Sequence, residues 1–342
     1  MQHGGVPDDA NGLAHALVPV LRQAVDDRLG DASFFRSAWQ RGGSQTAFST
    51  WRLDTGEVVP VIVKLPVSPN EFNWTTLLGK CDQSRWHDAD QVRGSTPRVL
   101  ASGMELGGYD LAWIIVERLA GEPLGKTLDE GSVVDLLAAA ADFQMVACRV
   151  APIGPEIRRP RSPDWEQLLG RAREACKTHS LPEWNHWQET IKKVQRALPV
   201  LQGRWESRLI NSWCHGDLHP GNALHRAPEP GQPEDVNRRH GVVLIDLALV
   251  HPGHWVEDAL YLERQFWGHT DQLHGVKPVG TLARLRRERS LDVDDSYADL
   301  AVVRRVLMAA CAPAVLEQEG ANPRYLHAAL ETLNRTLPQV VH

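Results

Sequence analysis

The chain has no long basic block, no C-x-x-C pair, no internal repeat and no apolar run near the ~20 residues that a membrane helix needs. Each absence removes a class of function. Without clustered Lys/Arg, and with a formal net charge of −6, nucleic acid is not an expected partner. The five cysteines (Cys81, Cys148, Cys176, Cys214 and Cys311) are odd in number and scattered. That suits reduced thiols in a cytoplasm better than a disulfide frame. Met1 to Ala10 carries Asp8 and Asp9 and no cationic stretch, so it does not read as a secretory signal. A cytoplasmic location with no membrane partner is expected. What remains is an ordinary globular composition, 42% hydrophobic with mixed charges, over 342 residues. At about 100–200 residues per domain, that length holds one large domain or two lobes.

Leu13 to Leu29 spaces its apolar residues as a helix does, with Pro19 inside and Gly30 behind it. Short β-like runs follow at Phe48–Leu53, Val58–Leu65, Arg98–Ala101 and Trp113–Val116, separated by turns such as Asp54-Thr55-Gly56. One helical stretch, Glu71–Leu78, lies among them, opened by Pro69 and Asn70. After Pro123 the pattern turns helical at Val133–Val150, Trp165–Thr178 and Trp184–Leu198. Helices resume at Val256–Trp267, Val279–Arg289, Tyr297–Ala310 and Pro323–Leu333. Strands return only at Ala223–His225 and Val242–Ile245, with a Pro-rich tip at Pro228–Pro233 between them. This order predicts an α+β chain: a β-rich N-terminal lobe over 1–116, a connector at 117–123 and a mainly helical lobe over 124–342. Seven of the twelve tryptophans fall between Trp165 and Trp267, where they are expected to fill gaps between helices.

The densest chemistry is His215-Gly216-Asp217-Leu218-His219-Pro220-Gly221-Asn222. The Gly and Pro between Asp217 and Asn222 forbid a regular helix, so the span is a tight loop able to turn both side chains toward one point. Val242-Val243-Leu244-Ile245 reads as a buried strand delivering Asp246 at its end. A carboxylate, a carboxamide and a second carboxylate are the groups that phosphoryl transfer needs. One meets the substrate hydroxyl as a base, and the other two hold Mg²⁺ on the nucleotide phosphates.

H-G-D-L-H-P-G-N followed by a hydrophobic strand ending in I-D resembles the aminoglycoside phosphotransferase superfamily, the small-molecule branch of the protein-kinase-like fold. Gly42-Gly43-Ser44-Gln45-Thr46-Ala47-Phe48 resembles that family's nucleotide-binding turn, and Val61-Ile62-Val63-Lys64 its lysine strand. Trp113 to Leu124 resembles its hinge. The resemblance implies a bilobal protein-kinase-like fold, ATP and Mg²⁺ as cofactors, and a small hydroxylated molecule as acceptor. It makes Asp217 the catalytic base and Asn222 and Asp246 the metal ligands. Lys64 would bind the α/β-phosphates with Glu71, the one glutamate before the next strand, as its partner. Gly43 and Ser44 would line the phosphate turn, and backbone groups near Glu117 and Leu119 would receive the adenine edge. A catalytically weak nucleotide-binding regulator on the same fold is the alternative.

Only eleven residues separate Asp246 from Asp258, and Gly253 and Asp258 match the family's Gly followed by a helix-borne Asp. A protein kinase needs a longer activation segment ending in A-P-E, and this chain has Asp246-Leu247-Ala248 where kinases have D-F-G. A small acceptor is therefore expected, with Asp258 bracing the catalytic loop. Residues 151–212 hold eleven Lys/Arg against seven Asp/Glu, which disfavours a polycationic acceptor. His215 and His219 are spaced for zinc on a helix, but Gly216, Pro220 and Gly221 oppose a helix there. His215 is instead expected to pack beneath the loop and bond its backbone, and Cys214 to act as a small buried hydrophobe.

Overall fold

The computed structural model describes residues 9–35, 44–87, 94–178, 183–226, 241–316 and 322–340. They group in two compact units, Met1–Pro123 with Gly221–Val250, and Leu124–Pro220 with His251–His342.

The first unit is built on a five-stranded antiparallel sheet of order β1-β2-β3-β5-β4. Its strands are β1 (Ser33–Phe35), β2 (Gln45–Arg52), β3 (Val58–Leu65), β4 (Val99–Gly103) and β5 (Trp113–Glu117). Alternation along β3 decides its two faces. Val59, Val61, Val63 and Leu65 are buried, while Ile62 and Lys64 lie on the other side. The buried face shares one core with Leu17 and Leu21 of helix α1 (Asp9–Ala24) and with Val25 and Leu29 beyond it. Fully burying a leucine such as Leu21 stabilises the unit by about 1.5–3 kcal/mol. On the Lys64 side, Ile62, Ile114 and Val116 pack with Phe72 of α2 (Pro69–Leu78). Helix α2 opens on Ser68, whose Oγ accepts from the Glu71 N–H at 3.2 Å, with Pro69 in its first turn. A two-stranded ribbon, β7 (Ala223–His225) with β8 (Val242–Leu244), completes the unit. The Leu244 N–H donates to Ser95 O at 2.9 Å, fixing the ribbon to the loop before β4.

The second unit is mainly helical. Its helices are α3 (Glu130–Val150), α4 (Trp165–Thr178), α5 (Trp184–Glu206), α6 (Val256–Gln265), α7 (Pro278–Glu288), α8 (Tyr297–Ala310), α9 (Ala312–Leu316) and α10 (Pro323–Thr336). A short ribbon of β6 (Ser212–Cys214) and β9 (His251–Gly253) lies among them. Trp165, Trp187, Trp205, Trp255 and Trp267 are buried as interhelical filling, whereas Trp184 is exposed. No helix among the described residues is long and apolar enough to cross a membrane.

The α+β architecture expected from the pattern is the one observed, with corrections in the elements. The first helix stops at Ala24 rather than running to Leu29, because Asp26 and Asp27 take left-handed φ of 53° and 54°. Leu29 instead forms an isolated bridge with Trp51, so its burial comes from the sheet. Helix α5 continues eight residues past the expected end at Leu198, through Pro199 to Glu206. Strands β1, β6 and β9 were not anticipated.

Candidate active site

In the first unit the β7–β8 register does the assembling. Ala223 pairs with Leu244, and the Ile245 N–H donates to Asn222 O at 2.9 Å. Residues 222 and 246, 24 positions apart in sequence, therefore emerge at one end of the same ribbon. Asn222 is buried and Asp246 exposed. Asp246 holds φ 63° and ψ 68°, a left-handed conformation that L residues rarely adopt but Asp tolerates. That backbone reverses the chain and starts the 3-10 turn Leu247–Leu249. Both side chains offer oxygen, the donor type that a hard cation such as Mg²⁺ takes.

Lys64 and Glu71 meet in the same unit: Lys64 Nζ donates to Glu71 Oε1 at 2.6 Å. The Glu71 side chain is nearly buried and that of Lys64 is 21% exposed, so the ammonium is held at the sheet face with one side open. Asn70 ties this pair to the Asp246 turn. Its Nδ2 donates to Ala248 O at 2.8 Å and to Val250 O at 2.9 Å. One residue of α2 thus bonds the segment following Asp246, while its neighbour bonds Lys64.

Ser44 precedes β2 and is half-buried, whereas Gly42 and Gly43 lie outside the described residues. At the end of β5 the Glu117 N–H donates to Arg98 O at 2.9 Å and the Arg118 N–H to Pro60 O at 3.1 Å. Those two donors are committed to the sheet. Leu119, the next residue, is half-buried. The Glu117 side chain is buried between two guanidinium groups. It accepts from Arg98 Nε at 2.7 Å and from Arg226 Nη2 in a short contact.

In the second unit Asp217 sits on a loop pinned from below. Gly216 has φ 82°, which favours glycine and sets up the turn. Asp258, fully buried on α6, accepts from the His215 N–H and the Gly216 N–H at 3.0 Å each. It also accepts from Gln144 Nε2 at 2.9 Å, and Gln144 Oε1 in turn accepts from Arg286 Nη1 at 2.6 Å. A buried relay from α7 through α3 and α6 therefore holds the backbone just before Asp217. The His215 ring packs edge-on against Phe143 and its Nδ1 accepts from the Asp217 N–H at 3.3 Å. The Tyr261 hydroxyl donates to Asp217 Oδ1 in a short hydrogen bond, and His219 Nε2 lies 3.7 Å from Oδ2. Sequence reasoning missed Tyr261, Gln144, Arg286 and Asn70. Only Tyr261 left a signal, standing one helical turn after Asp258.

Other titratable groups here are already committed. Cys214, His251 and Glu257 bring potential ligand atoms within 4.8 Å of one another. Glu257 Oε1, however, already accepts from Arg208 Nε at 3.0 Å and from the His254 N–H at 2.9 Å. Burial opposes ionisation of Glu257. The hydrogen bond with His251 and the charges of Arg208 and Arg304 outweigh it and hold its pKa at about 2. Burial pushes the Cys214 thiol well above its ordinary range, with Asp258 and Glu257 adding to the effect, so it is a poor nucleophile. Gly253 is required by close approach: a Cβ there would lie 2.8 Å from Glu257 Oε1 and 2.9 Å from Cys214 Sγ.

The model of the phosphotransferase enzyme family matches residues 39–289, most of the chain. No curated protein sequence matches it. Among solved structures, the chain is similar to an aminoglycoside phosphotransferase from Alicyclobacillus acidocaldarius. That likeness is 15% in identity with a TM-score of 0.54, over 99% of this chain and 96% of the other. It is also similar to a microcompartment-associated aminopropanol kinase, at 15% identity and a TM-score of 0.52, over 93% and 95% of the two chains. At these identities the structural likeness is one of fold.

Proposed function

The chain belongs to the phosphotransferase enzyme family, and from that premise we propose that it moves the γ-phosphoryl group of ATP, with Mg²⁺, to a hydroxyl of a small molecule. The observation that carries this reading is the convergence within the sheet-bearing unit. Asn222 and Asp246 leave one end of the β7–β8 ribbon, and Asn70 ties the turn after Asp246 to the helix that presents Glu71 to Lys64.

The roles follow from chemistry. Asn222 and Asp246 would hold Mg²⁺, which when bound neutralises phosphate charge and aligns the leaving group. Lys64, kept in place by Glu71, would donate to the nucleotide's phosphate oxygens as a point charge. Backbone groups near Glu117 and Leu119 would receive the adenine edge, with Gly43 and Ser44 in the phosphate turn. Asp217 would orient the acceptor hydroxyl and take its proton as the oxygen bonds to phosphorus. The short stretch between Asp246 and Asp258 supports a small acceptor over a peptide. The acceptor would offer a hydroxyl, and the excess of Lys/Arg in residues 151–212 disfavours a polycation.

The test is a screen of hydroxylated acceptors with Mg-ATP and a phosphate-transfer readout, run on the natural chain and on Asp217→Asn. Asp217→Asn is expected to lose transfer by at least 100-fold, within the range general-base catalysis contributes, while ATP still binds. Transfer retained in that variant removes Asp217 as base. ATP binding without transfer to any acceptor favours a regulator on the same fold.

A further inference from the structure

Helix α6 does more than brace the loop. Asp258, Tyr261 and Gln265 stand three and four positions apart, and so share one stripe of the helix. Asp258 takes the two loop N–H groups at 3.0 Å. Tyr261, one turn on, reaches the carboxylate that those N–H groups precede, its hydroxyl donating to Asp217 Oδ1. The same helix thus fixes both the backbone and the side chain of the base.

We infer that Tyr261 is a positioning residue of the transfer reaction, whose phenol fixes the plane of the Asp217 carboxylate and so the direction from which it accepts the acceptor's proton. This rests on the reading of Asp217 as the base. The χ2 torsion of an aspartate is broad, so an unrestrained carboxylate samples many directions. One hydrogen bond from a ring anchored in a helix removes that freedom before the acceptor arrives. A carboxylate has about four lone-pair sites, so it can hold the phenol and still take a proton. In the transfer step the acceptor oxygen bonds to phosphorus and its proton passes to the Asp217 carboxylate. The bond from phosphorus to the β-phosphate oxygen breaks with its electron pair leaving on ADP. Tyr261 keeps its own proton throughout. Burial first, and the bond and charge of Asp217 next, push its pKa up to about 12, with Arg264 over the ring opposing them.

The test compares the natural chain with Tyr261→Phe and Asp217→Asn, using Mg-ATP and a panel of kanamycin, glucose, aminopropanol and water as acceptors. Tyr261→Phe is expected to lower kcat by about 10- to 100-fold, the worth of one charge-assisted hydrogen bond. The KM for Mg-ATP should stay within about two-fold, a split that general loosening of the helix would not produce. Tyr261→His, which keeps a ring N–H donor, should recover part of the loss, and it carries the test if melting shows that the Phe variant is unfolded. A kcat within two-fold of the natural chain in Tyr261→Phe, with Asp217→Asn inactive, overturns the role of Tyr261 and leaves the base in place. Activity retained in Asp217→Asn, or none in the natural chain with any acceptor, overturns the base assignment and this inference with it.

Discussion

Replacing Asp258 by Asn changes one atom in a site where every atom is committed. The side chain is fully buried and receives three hydrogen bonds, two from the loop N–H groups of His215 and Gly216 and one from Gln144. An amide has one oxygen where the carboxylate has two, and its NH₂ would point at a group that is itself a donor. At least one buried donor then loses its partner, at a cost of about 1–3 kcal/mol. The substitution also removes the negative charge that Arg286 reaches through Gln144, and breaking a buried charged network on one side costs about 3–5 kcal/mol. We expect a loss of stability of about 3–5 kcal/mol, read as a lower urea midpoint at unchanged slope, followed by both circular dichroism and tryptophan fluorescence. Arg286→Met in the same background should make the Asp258→Asn loss smaller, because the cation is then no longer stranded. A loss under about 1 kcal/mol, or strictly additive variants, would refute the relay.

Two further predictions concern the same unit. Gly253→Ala would set a methyl group 2.8 Å from Glu257 Oε1 and 2.9 Å from Cys214 Sγ. An overpacking cost of about 1–3 kcal/mol should lower the melting temperature by several degrees, and an unchanged melting temperature would contradict the close approach. Glu257 has its pKa held at about 2 in the fold against an ordinary 4.5, so its contribution is complete above 4.5 and is lost as pH falls from 4.5 toward 2. Urea stability should drop over that window in the natural chain and drop less in Glu257→Gln; parallel curves would sink the assignment.

How much was readable beforehand depended on whether the determining contacts were local. Strand β3 and helix α4 begin and end where alternation and helical spacing put them, because each buries a single regular face. β1, β6 and β9 are three residues each and exist through pairing with Phe48, Pro252 and Trp213 and their neighbours, whereas β7 and β8, equally short, were legible because they adjoin the Asn222 and Asp246 motifs. Leu29 kept the spacing of a helix but belongs to a sheet edge, since burial alone does not say which element supplies it. The same distinction holds at the site. Asp217, Asn222 and Asp246 stand in contiguous motifs, and the Lys64–Glu71 pair lies seven positions apart. The place of Glu117 between Arg98 and Arg226 depends on a partner 109 positions away, which no local pattern marks. Gln144 and Arg286, 142 positions apart, carry no local mark at all.

The most direct measurement is ATP affinity with and without Mg²⁺, by calorimetric titration of the natural chain and Asp246→Asn. We expect the natural chain to bind ATP more tightly with Mg²⁺, and Asp246→Asn to lose most of that difference while remaining folded. A natural chain indifferent to Mg²⁺, or an Asp246→Asn variant that keeps the full Mg²⁺ effect, would contradict the metal-assisted phosphotransferase reading.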